Sequence, residues 1–119
     1  MNVDTSEAPA KLRYILDGDW PETTQLVRLG RELIAADRLT QHTTALFDLR
    51  LVKKLPNYIQ LHELVVASAA APWPLRRAYL VQTPVQYGVV RQLQALADKC
   101  LEIHIFWDEA DAYDWYGLD

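Results

Sequence analysis

An α/β fold with parallel neighbouring strands is the architecture this sequence predicts, and three observations carry it. Short apolar runs of strand length recur at 44–49, 76–82 and 101–107. Between them lie stretches whose apolar residues fall at helical spacing. The last two runs are joined by Thr83-Pro84-Val85-Gln86, where a Thr at the N-cap, a Gln three residues on and a Pro in the first turn make a capping box. Strands alternating with helices imply parallel pairs joined by right-handed crossovers.

Taken in order, residues 1–10 are polar and end in Ala8-Pro9-Ala10, which reads as a flexible lead-in or at most a brief edge strand before a domain over 11–119. Lys11–Leu16 is the first firm strand, and Asp17-Gly18-Asp19 reads as the turn that ends it. Asp19 is then placed to cap a helix running to about Asp37, with Pro21 in its first turn and Leu26, Leu29 and Leu33 on its apolar stripe. Thr44–Leu49 alternates too little for a half-exposed strand and suits one covered on both faces, with Asp48 interrupting it. A second helix is expected from about Pro56, burying Ile59, Leu61, Leu64, Val65 and Ser68, until Pro72 and Pro74 end it.

Helix three is expected to bury Val85, Val89, Leu93 and Leu96, and its interior Gly88 is expected to allow close approach to the sheet. A last strand over Leu101–Trp107 leads to Asp108, placed to cap a short final helix ending at Gly117. The sequence shows no internal repeat and no low-complexity segment.

Composition narrows function mostly by exclusion. At 119 residues the chain makes one domain, and a chain of this size buries roughly two thirds of its unfolded surface. Twelve basic against sixteen acidic residues, a net charge of −4, argue against nucleic acid, which calls for a basic stripe. The single Cys100 forms no internal disulfide, and no apolar run reaches the length of a membrane span, so a cytoplasmic protein is expected. His42, His62 and His104 fall in three different elements without ligand spacing, so no metal and no cofactor is expected.

Neither Ser6 nor Ser68 sits in a nucleophile elbow, and the four glycines are too dispersed to cradle a phosphate. Cys100, before an apolar strand, reads as a buried thiol. Asp108, Glu109, Asp111 and Asp114 read as acids favoured at a helix N-terminus. The chain is therefore expected not to be an enzyme.

Phe47-Asp48-Leu49-Arg50 with Leu55, Gln86-Tyr87-Gly88-Val89-Val90-Arg91, and the stretch from Ile105 to Trp115 resemble the SpoIIAA-like proteins of the STAS superfamily (sulfate transporters and anti-sigma factor antagonists). The order and spacing of these segments carry the resemblance, over roughly 44–118. It implies a single α/β domain, a mixed sheet of about four to five strands with helices mainly on one face, and a role in binding instead of covalent chemistry. In that family a Ser at the start of the helix after the strand matching 44–50 is phosphorylated. Here Asn57 stands at that position within Leu55-Pro56-Asn57-Tyr58, which implies either loss of the switch or a constitutive form of it.

In a sheet of this class ligands and partners gather at the carboxyl ends of the strands. That edge is expected to hold Lys53, Lys54, Asn57, Tyr58, Gln82, Thr83, Gln86, Tyr87 and Trp107, which makes them the candidate partner- or ligand-binding residues. The first expectation is an unidentified protein partner. The alternative is an apolar small molecule or lipid, carried in a pocket or near a membrane, with Trp73 and Trp20 flanking a greasy groove. A homo-oligomer is compatible with either.

Overall fold

The computed structural model describes residues 1–69, 74–97 and 101–117. Its elements run β1 (Asn2–Asp4), β2 (Lys11–Asp19), α1 (Thr23–Ala35), β3 (Thr44–Lys54), α2 (Tyr58–Ala69), β4 (Arg76–Leu80), α3 (Pro84–Leu96), β5 (Glu102–Phe106) and α4 (Glu109–Gly117). The strands form one mixed sheet in sequence order, with β1 antiparallel to β2 and every other pair parallel. Successive parallel neighbours need crossovers of one hand, which carries α1, α2 and α3 to a common face. Helix α4 packs on the opposite face, against β3, β4 and β5.

Two apolar layers result. The larger lies under α1–α3 and contains Leu12, Tyr14 and Leu16 from β2, Ala45, Phe47 and Leu49 from β3, and Tyr79 from β4, against Leu26, Leu33, Leu61, Leu64, Val90 and Leu93. The smaller packs Leu46, Ala78 and Leu80 against Ala112 and Tyr116 of α4. Because β3 is covered on both sides, Thr44–Leu49 is buried throughout, and this is the physical origin of its unbroken apolar run.

Several elements differ from their sequence reading in informative ways. Asp17-Gly18-Asp19 does not turn: β2 continues through it in parallel register with β3, with Gly18 at φ 63° where the pairing shifts. Asp19 therefore caps nothing. Glu22 stands at the N-cap of α1 without a side-chain cap bond. The other end of α1 closes with Asp37 in the left-handed region at φ 59°, its N–H on the Ile34 carbonyl and the Arg38 N–H on the Leu33 carbonyl, the paired bonds of a Schellman ending.

The phase of two helices also changes. Ile59 is 66% exposed because it lies two residues, about 200° around a helix, from Leu61, so both cannot face the core. Likewise Val85 is 66% exposed, and the buried stripe of α3 is Gln86, Val90 and Leu93. Gly88 is exposed, with nothing within 4 Å of where a Cβ would stand, so it serves no close approach. The capping box at Thr83 and Gln86 and the cap at Asp108 form as expected: Thr83 Oγ1 accepts from Gln86 N at 3.1 Å, and Asp108 Oδ1 accepts from Ala110 N at 2.7 Å. Trp73 and Cys100 lie outside the described residues.

Candidate functional site

The carboxyl edge of the sheet is built around an irregularity in β3. Leu80, the last residue of β4, pairs with Asp48, yet β3 continues to Lys54 beside β2 alone. Between the pairs Ile15–Asp48 and Asp17–Leu51, two β3 residues oppose one on β2, and a second extra residue falls before the pair Asp19–Lys54. An extra residue leaves backbone groups without ladder partners. Side chains from both faces supply them.

On the α4 side, Asp48 Oδ1 accepts from the Arg50 N–H at 3.1 Å and from Arg50 Nε at 3.0 Å, while Oδ2 accepts from Nη2 at 2.8 Å. Arg50 Nη1 reaches Glu109 Oε2 at 3.2 Å and ties the strand to the start of α4. Burial pushes the Asp48 carboxyl up, but the Arg50 guanidinium and N–H outweigh it and hold the group below its ordinary value. Arg50 is raised in turn, chiefly by its bond to Asp48. An acid inside an apolar run, followed two residues later on the same strand face by an arginine, was the sequence signal for this pair.

On the opposite face, Gln86 performs the matching task. Its Nε2 donates to the Leu49 carbonyl at 2.9 Å and to the Val52 carbonyl at 3.2 Å, the two carbonyls that bracket the first extra residue. Its Oε1 accepts from Gln82 N at 2.7 Å and Thr83 N at 3.2 Å. Gln86 is thus buried, with its amide fully engaged.

The remaining candidate residues are arranged by this scaffold. Lys53 and Lys54 are exposed at the end of β3. Asn57 is the N-cap of α2 in a second reciprocal box, its Oδ1 accepting from Gln60 N at 2.9 Å and its N–H donating to Gln60 Oε1 at 2.8 Å. Tyr58 is exposed; Gln82 and Thr83 are exposed but spend backbone N–H groups on Gln86. Tyr87 is half-buried and stacks on Trp107 with ring centroids 5.4 Å apart. Trp107 stays half open to solvent.

Three apolar neighbours outside the nine candidate binding residues join them. Leu51, Ile59 and Val85 are each more than half exposed, and all sit at the carboxyl end of β3 or in the first turn of α2 or α3. Counting helical phase at 100° per residue from Leu61 and from Gln86 would have found the last two. Beside them, between the starts of α1 and α2, lies a groove of about 310 Å³ whose walls include Trp20, Glu22, Lys54 and Gln60.

Ionisable groups do not converge as a metal centre: among the described residues no group of three His, Cys, Asp or Glu is arranged to hold an ion. No helix among them is long and apolar enough to cross a membrane.

No family model and no curated protein matches this chain. Among solved structures it is similar to an uncharacterised protein of the DUF3478 family with a SpoIIAA-like fold from Shewanella loihica PV-4, at TM-score 0.64 and 18% identity, covering 97% of this chain and 90% of that one. The likeness spans the whole domain, including the first forty residues that carried little resemblance in sequence. The fold is SpoIIAA-like, as the sequence resemblance implied.

Proposed function

We propose that this chain is a non-enzymatic binding module that engages a protein partner through the carboxyl edge of its sheet, at the loop before α2 and the start of α3. One observation carries the reading. Leu51, Tyr58, Ile59, Val85 and Trp107 are held at the solvent on that edge, beside Lys53 and Lys54. Exposed apolar side chains grouped at one end of a domain mark interaction surfaces, and Tyr and Trp supply contact area at low entropic cost.

Asn57 is committed to capping α2, and an amide there offers no hydroxyl for phosphorylation. The module is therefore proposed to bind without the phospho-switch of the STAS antagonists that its sequence resembles. The test is a pull-down with wild type as bait beside the double variant Lys54→Glu, Tyr58→Ala and, separately, Trp107→Ala. A partner retained by wild type and lost by both variants supports the edge; equal recovery from all three refutes it.

The second reading, a carrier of an apolar molecule, rests on the apolar cavity between the sheet and helices α1 and α2. Its volume, about 20 Å³, is little above the roughly 10–15 Å³ that one water requires. An acyl chain needs the helices to part. Native mass spectrometry of gently extracted protein checks this directly: a bound lipid mass supports the carrier, and a clean apo mass removes it.

A further inference from the structure

We propose that the sheet face beneath α4 is a docking surface for the α4 of a second copy of this chain, so that two copies exchange this helix about the hinge at Trp107 and Asp108. The surface lies on the opposite face of the sheet from α1–α3 and does not rest on the carboxyl edge as a partner site.

Helix α4 packs on β3, β4 and β5 and runs from the carboxyl edge back toward the amino ends of the strands. Glu109 at its start meets Arg50 at 3.2 Å, and Tyr116 near its end meets Lys11, the first residue of β2, with Nζ 5.4 Å from the ring centre. Along the way the Arg13 guanidinium stands 5.1 Å from the centre of Tyr113, and that of Arg76 4.7 Å from Trp115. Four cations from β2, β3 and β4 are thus each met by an acid or an aromatic ring of α4. That complementarity makes the face specific for a helix carrying this pattern.

Little holds the helix shut. Of its nine residues two are buried, Ala112 and Tyr116, and they pack on Leu46, Ala78 and Leu80 in a layer separate from the main core. The side chains of Arg50 and Glu109 are 30% and 50% exposed, a range in which an ion pair contributes little. Closure also carries a defect: among the described residues Arg13 Nε, beside the Tyr113 ring, is a buried donor with no hydrogen-bond partner. An element with so few buried apolar contacts opens at a lower free energy than the domain as a whole.

The occupant follows from the length of the helix. Nine residues do not persist as a helix alone in water, so a released α4 needs another face of the same kind, and the face it leaves needs another such helix. A second copy supplies both, with every contact of the closed form remade between chains. The hinge then decides between the two forms. Phe106 ends β5 and Glu109 begins α4, so two residues must reverse the chain in the closed form, a constraint that exchange removes.

The full chain is sized by chromatography with light-scattering detection over a range of protein concentrations. Isotope-labelled and unlabelled chains are also unfolded and refolded together, and the dimer they form is read by isotope-filtered NOE spectra. The proposal expects a dimer whose fraction rises with concentration, showing NOEs from Ala112 or Tyr116 of one chain to Leu46, Ala78 or Leu80 of the other. Inserting Gly-Gly-Gly between Trp107 and Asp108 relaxes the reversal and should return the dimer to monomer. The Lys54→Glu, Tyr58→Ala double variant, which disables the proposed partner edge, should dimerise as wild type does, so that either reading can fail without the other. A chain monomeric at every concentration overturns the proposal. So does a dimer in which those NOEs stay within one chain, or one whose fraction the inserted glycines leave unchanged.

Discussion

Replacing Gln86 by Leu is the sharpest test of how the carboxyl edge is held. Leucine has nearly the same volume and good helix propensity, so the change isolates the amide. Four hydrogen bonds disappear: those to the Leu49 and Val52 carbonyls and those from the Gln82 and Thr83 N–H groups. A buried group left unsatisfied costs about 1–3 kcal/mol. The two carbonyls face the interior and bear most of that cost, whereas the two N–H groups lie near solvent and recover water. Apolar burial of the leucine returns roughly 1 kcal/mol. The net expectation is a loss of about 2–4 kcal/mol, a large share of the 5–15 kcal/mol typical of a domain.

Urea unfolding at pH 7 reads it as a midpoint lower by about 1–2 M at an unchanged slope. Amide exchange should quicken first over residues 49–58, where the extra residues of β3 lose their support. Gln86→Glu adds a second reading. A carboxylate facing two carbonyls is disfavoured in the fold, so its folded pKa is raised. Its stability relative to pH 7 is then fully recovered below the unfolded value of about 4.3 and lost as pH rises through the folded one. A loss below about 1 kcal/mol in Gln86→Leu, within the range of an ordinary surface change, would refute the assignment of Gln86 as the residue that satisfies the irregular strand.

Other expectations follow from single features. Gly88 stands in the middle of α3 with open space around its Cα, so Gly88→Ala should stabilise by about 0.5–1 kcal/mol, seen as a higher thermal midpoint. Asn57→Ala removes the cap of α2 and should cost about 1 kcal/mol, whereas Asn57→Ser, an equivalent cap, should cost only a few tenths; denaturant titration ranks the pair. Asp48→Asn removes the charge that three Arg50 donors hold and should cost about 2 kcal/mol at pH 7, discounted from a fully buried pair because Arg50 is partly solvated. The Asp48 pKa is depressed in the fold, so the gap between wild type and Asp48→Asn is fully present above 3.8 and closes as pH falls through the lower folded value; stability curves of both from pH 7 to pH 2 check the sign.

Order along the chain was legible in the sequence because it rests on local physics. The capping box at Thr83 and the cap at Asp108 need only a side chain and the backbone two or three residues away, and both appear as read. Alternation of strand and helix implied parallel pairing, and Thr44–Leu49 announced by its unbroken apolarity that it would be covered on both faces. The Asn57–Gln60 box is equally local, an Asn with a Gln three residues on at the start of a helix.

What only the tertiary structure decided concerns groups whose partners are distant in sequence. Asp17-Gly18-Asp19 has turn chemistry, yet β3 lies alongside and keeps it in the sheet. Val85 has core chemistry, yet the Gln86 amide is drawn inward by carbonyls 34 and 37 residues away, and rotating one residue in turns its neighbour out to solvent. The inward turn of Gln86 thus leaves Val85 exposed at the candidate edge. A sequence sets local preferences at a fraction of a kcal/mol per residue; burial and satisfaction of polar groups across the sheet are worth more, and they choose which preference is kept.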